Sequence, residues 1–127
     1  MSDIRECLKR QKAKAITEAT SAAAVAASQA INNLYNALIK ATKSKQILTP
    51  KMNGLVQGFV KDLAPWRSKL VDEGFDHKPT LVNIKKTADE AASLWEDIAA
   101  GKMPTEKEHQ RAFSATVKFF LILKKLP

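Results

Sequence analysis

The side chains that most often do chemistry are scarce in this chain. Two histidines, His77 and His109, and one cysteine, Cys7, are its only soft metal ligands or groups able to act as base or nucleophile near neutral pH. Zinc sites take three or four protein ligands at characteristic spacings, and no CxxC, HxxxH or HExxH occurs. One local cluster gathers Asp72, Glu73, Asp76 and His77 around Gly74. It lacks the Asp/Asn/Gly pattern of an EF-hand loop and reads as a solvated helix end and turn. No metal is expected.

Nucleophilic catalysis needs a base within hydrogen-bond reach and a group that orients that base. Cys7 falls in an N-terminal segment with no such neighbours. His109 falls in the first turn of the last helix beside Glu106 and Glu108, and is expected to face solvent. Glu90, Glu96 and Asp97 occupy the polar side of an amphipathic helix and make no acid–base pair. Neither GxxxxGK[ST] nor GxGxxG is present, and no βαβ pattern would hold either. The chain therefore reads as non-enzymatic and free of cofactors.

Charge is the more informative property. The 127 residues carry 21 Lys+Arg against 13 Asp+Glu, a formal net charge of +8. Residues 1–51 hold 9 basic and 3 acidic side chains, residues 52–101 hold 6 and 8, and residues 102–127 hold 6 and 2. Two basic ends thus flank a slightly acidic middle. If the first and last helices are neighbours, the ends merge into one positive surface that attracts phosphates. The candidate contacts are Arg5, Lys9, Arg10, Lys12 and Lys14, with Lys107, Arg111 and Lys118 from the last helix. The aromatics (5 Phe, 2 Trp, 1 Tyr) mostly sit in apolar stripes. Stacking on single-stranded bases is therefore disfavoured against duplex DNA or RNA met by shape and charge. The expected partner is a nucleic acid, duplex favoured, or an acidic protein.

These residues must be carried by helices. Four Gly and five Pro leave little turn chemistry for a β fold, and no segment alternates with period two. The first helix should run from Ser2 or Asp3 to near Lys45, without Gly or Pro and rich in alanine. Such a helix has about 40 residues and a length near 60 Å at ~1.5 Å per residue. Thr49-Pro50 opens a second helix with a face of Leu55, Val56, Phe59, Val60 and Leu63, which Pro65 ends or kinks. A short piece follows to Glu73, with Gly74 as its cap. Pro79-Thr80 opens the next, with a stripe of Leu81, Ile84, Ala88, Ala91, Trp95 and Ile98. The last starts at Thr105, with Glu108 completing a capping box, and its apolar positions are Ala112, Phe113, Thr116, Val117, Phe120 and Leu123. The expected fold is all-α: one domain over 1–127, an antiparallel bundle of four to five helices with an unusually long, Ala-rich first helix.

Phase divides that first helix. Ile16, Ala23, Ala27, Ala30, Leu34, Leu38 and Ala41 share one stripe at ~100° per residue. Extended backwards, the stripe meets Arg5, Lys9 and Lys12. Residues 1–14 are thus expected to overhang the core as a basic arm. The alanines from Ala22 to Ala30 allow close approach by at least two other helices.

At the other end, Phe119-Phe120-Leu121-Ile122-Leu123 covers every side of a helix turn. A helix apolar all round is buried all round, so Phe119, Leu121 and Ile122 are expected at a self-association or partner interface, in preference to insertion into a membrane surface. The start of the chain lacks the apolar stretch of a secretory signal, and Asp3 and Glu6 argue against a transit peptide. The charge-free run Ala19 to Ile39 is too polar to span a bilayer. With a single cysteine, the expected location is cytoplasmic and reducing. The leading expectation is a self-associating basic protein that binds nucleic acid mainly through phosphates. The alternative is a protein–protein interaction module, adaptor or effector, that uses its apolar C-terminal helix.

Overall fold

In a computed structural model of the chain, backbone structure is described for residues 2–75 and 77–126, and side chains for 22–75 and 77–126. Among these residues five helical elements follow in order: α1 (Ser2–Lys43), α2 (Pro50–Leu63), α3 (Trp66–Asp72), α4 (Lys78–Ala99) and α5 (Glu106–Leu123). No strand occurs among the described residues. The fold is all-helical.

Local chemistry accounts for the boundaries. Thr49 caps α2 by accepting from the Met52 amide at 3.2 Å, with Pro50 in the first helical position. Pro65 separates α2 from α3. Thr105 caps α5 in a variant of the expected box: its hydroxyl accepts from the Glu108 amide and donates to Glu108 Oε1 at 2.7 Å. Gly101 ends α4 at φ 75°, and the Lys102 amide reaches back to the Asp97 carbonyl at 2.9 Å. This is a Schellman closure, and its left-handed residue favours glycine.

Tertiary packing is organised around α1 and α4. From Ala22 onward, α1 buries Ala24, Ala27, Ala30, Ile31, Leu34, Ala37, Leu38 and Ala41. It packs against α4, α3 and α2. In return α4 buries Leu81, Ile84, Ala88, Ala91, Ala92, Trp95 and Ile98. Burying each large aliphatic side chain contributes about 1.5–3 kcal/mol before chain entropy is counted. Alanines buried on both helices let the backbones come close. α5 follows α4 across a short link and packs on it, meeting Trp95 of the same buried stripe through Phe113 and Thr116.

Two buried threonines and a buried tryptophan are hydrogen-bonded inside this core. The Trp95 indole N–H donates to Thr116 Oγ1 at 2.7 Å, and that hydroxyl donates to the Ala112 carbonyl at 2.9 Å. Thr87, also buried, donates to the Asn83 carbonyl at 2.8 Å. Arg67 of α3 lies over the Tyr35 ring at 4.2 Å and donates from Nε to Asn32 Oδ1 at 3.0 Å, while Ser28 Oγ donates to its carbonyl. Ser28, Asn32 and Tyr35 repeat at helical spacing, so one arginine fastens two turns of α1 to α3.

Two expectations are corrected here. His109 does not face solvent. It is buried, and its Nε2 lies 2.9 Å from the Met103 carbonyl. A carbonyl only accepts, so Nε2 carries the proton, and Nδ1 has no partner among the described residues. The cause is phase: His109, Ala112, Thr116, Phe119 and Leu123 form one stripe, all buried. Nor is the C-terminal run buried all round, because Leu121 is 57% exposed.

Candidate interaction surface

The apolar arc of α2 is wider than one neighbour can cover. Leu55 and Val60 lie about 140° apart around the axis at ~100° per residue. Val56 and Leu63 turn inward and are buried, whereas Leu55 on the other flank is 50% exposed. On α5, Phe113, Val117 and Phe120 lie to one side of the buried stripe, and Val117 is 46% exposed.

These two surplus flanks face each other. The α2 and α5 backbones do not pack directly. Three rings bridge them: Phe59 lies 5.9 Å from Phe113 and 5.7 Å from Phe120, centroid to centroid. Phe113 in turn stands edge-on to Trp95 at 5.1 Å, which ties the bridge to the core. Such ring pairs add about 0.5–1.5 kcal/mol beyond area burial. The result is a groove floored by phenylalanine and walled by Met52, Leu55 and Val117, with a volume of about 830 Å³. It continues into a smaller hollow of about 190 Å³ beside Phe120 and Leu121.

The charges at its ends are informative. Lys51 and Glu106 line one end, and Asp62 and Lys124 line the other. Lys51 lies in the first turn of α2 and Glu106 begins α5, so the two helices run the same way along the groove. All four side chains are exposed.

A second cleft, of about 640 Å³, lies between α4 and α5 and is lined by Asp89, Glu90, Ser93, Arg111 and Lys118. Its two walls carry opposite charge. Lys85 already holds Asp89 at 2.8 Å. Elsewhere, His77 turns its ring to the Thr80 hydroxyl. No three His, Cys, Asp or Glu side chains among the described residues gather as a metal site would require. Among the described residues, no helix is long and apolar enough to cross a membrane.

The residues singled out from sequence are dispersed. Arg5, Lys9, Arg10, Lys12 and Lys14, with the 1–14 overhang and Cys7, lie outside the residues whose side chains are described, as does Asp76. Lys107, Arg111 and Lys118 are exposed on one side of α5. The conditional adjacency of first and last helices does not form among the described residues: α5 packs on α4 and not on α1. Phe119, expected at an interface, is fully buried in the chain's own core. Ile122 is half-buried, and only Leu121 of that trio projects to solvent. Residues two apart on a helix point about 160° apart at ~100° per residue, so Phe119 and Leu121 cannot share one surface.

Sequence reasoning missed the groove itself. The sequence places Leu55 and Phe59 on one apolar face of α2 and Val117 among the apolar positions of α5, and the available signal is the width of those stripes. No protein-family model, curated protein or solved structure matches the chain.

Proposed function

We propose that this protein is a non-enzymatic interaction module whose working surface is the groove between α2 and α5, taking an apolar helical segment of a protein. The exposure of Leu55, Val117 and Leu121 above a phenylalanine floor carries this reading. Aliphatic side chains held half in water by a rigid aromatic support lose little conformational freedom on binding, and each gains buried area. The reading takes the chain as one domain, an antiparallel bundle on a long Ala-rich first helix with residues 1–14 as a basic overhang, acting in the cytoplasm. Selection of helical peptides from a displayed library against the folded chain tests it. Binders should compete with one another and lose at least tenfold in affinity on Val117→Asp; binders that map elsewhere would contradict it.

Nucleic-acid binding through phosphates is a second reading, favoured by one observation. Lys107, Arg111 and Lys118 recur at helical spacing along the solvent side of α5, in a chain of net charge +8. Asp89 and Glu90 on the facing wall of the α4–α5 cleft work against it. A gel shift with duplex RNA and DNA near 50 mM salt, where counterion release favours binding most, decides the matter. Binding should fall log-linearly with salt at about −0.9 per phosphate neutralised on B-DNA. Changing the three residues to Gln should flatten that slope. Wild-type protein that ignores both duplexes would end this reading.

A further inference from the structure

We infer that the face bearing the α2–α5 groove pairs with the same face of a second copy of this chain, the two related by a two-fold axis lying in the plane of that face. The inference rests on the groove being the working surface and adds the identity of the occupant. Its warrant is the order of charge around the rim. Lys51, Glu106, Lys124 and Asp62 occupy the four corners in turn, so the sign alternates from each corner to the next.

An alternating rim is complementary to itself. With the axis along the groove, α2 of one copy lies over α5 of the other, and Lys51 meets the partner's Glu106 while Asp62 meets the partner's Lys124. With the axis across the groove, α2 lies over α2 in the opposite direction, and Lys51 meets the partner's Asp62 while Glu106 meets the partner's Lys124. Either two-fold sets every corner against its opposite, and closed two-fold dimers use one patch twice in this way. A helix of uniform charge, acidic or basic, would meet two like charges wherever it lay. Between the corners, Leu55, Val117 and Leu121 supply apolar surface to be covered from outside.

Size sets the expected strength. Helices of 14 and 18 residues are about 21 and 27 Å long and each about 10 Å wide. The face they present is therefore roughly 400–500 Å² in projection, below the ~800 Å² per partner of a standard interface. Each copy also carries +8, which opposes association. The dimer is thus a weak one, formed at micromolar to millimolar concentration and not obligate.

Sedimentation equilibrium of the full chain across that range, at about 0.15 M salt, tests the proposal. The mass should rise from one to two copies and stop there. Val117→Asp should hold the chain as a monomer while its helical circular dichroism is unchanged, since Val117 is 46% exposed. Lys51→Glu should weaken association several-fold. A second change should restore it: Asp62→Lys if the axis crosses the groove, Glu106→Lys if it runs along it. Failure of both to restore would overturn the proposal, and so would a chain monomeric at 1 mM (roughly the weakest specific affinities) or a dimer indifferent to Val117→Asp. If selected peptides still occupy the groove of such a monomer, the groove stands as the working surface and the second copy is excluded as its occupant.

Discussion

The contact between α1 and α4 and the contact between α2 and α5 use apolar side chains to opposite ends. Where α1 meets α4, alanines lie on both sides and the packed face is buried. Where α2 meets α5, three phenylalanines hold the backbones apart and leave aliphatic groups on the rim half in water. Small residues make a spine by removing space between helices. Aromatic residues make a groove by spanning space without filling it. In a small helical protein, residue size at a crossing thus separates a contact that holds the fold from one that remains open to a partner.

The largest expected effect falls at the point where the two regions join. Trp95→Ala removes the ring that packs against Phe113 and donates to Thr116, and should cost about 3–5 kcal/mol in denaturant unfolding. Loss of stability below 1 kcal/mol would mean that groove and spine are mechanically separate. Ala88→Leu then tests closeness directly. Ala88 is fully buried, and added methylenes in a tight crossing should cost about 1–3 kcal/mol; a neutral result would place slack between the helices. Thr116→Val keeps the shape of that side chain and deletes its hydroxyl. The buried indole N–H then loses its acceptor, which should cost about 1–3 kcal/mol by thermal or chemical denaturation. Leu121→Ser on the groove rim should change stability by no more than about 0.5 kcal/mol, and a larger loss would assign Leu121 to the core.

The spine was legible in the sequence and the groove was not. All six residues of the α4 stripe, from Leu81 to Ile98, are buried as their spacing predicts, because polar residues flank that stripe on both sides and fix its phase. The α5 stripe is rotated from its expected position. Phe119 is buried where Phe120 was expected, since five apolar residues in a row carry no phase information. Two members of the real stripe, His109 and Thr116, are polar, and their hydrogen bonds to Met103, Ala112 and Trp95 are tertiary or local facts that hydropathy does not register. The groove depends on the separation of α2 and α5, which no single helix encodes. Only the breadth of the α2 arc, from Leu55 to Val60, pointed toward it. The basic residues on α5 are exposed, but the acidic wall opposite Arg111 and Lys118 comes from another helix, which a count of charge along the chain does not register.

The most direct test of the division between spine and groove is a single variant, Val117→Asp, measured twice. Its melting temperature should stay within about 3 °C of the parent, corresponding to less than about 1 kcal/mol for a chain of this size. Its affinity for a helical peptide selected on the parent groove should fall by more than tenfold. A variant that melts far lower would make Val117 part of the structural core, and one that binds the peptide unchanged would remove function from the groove.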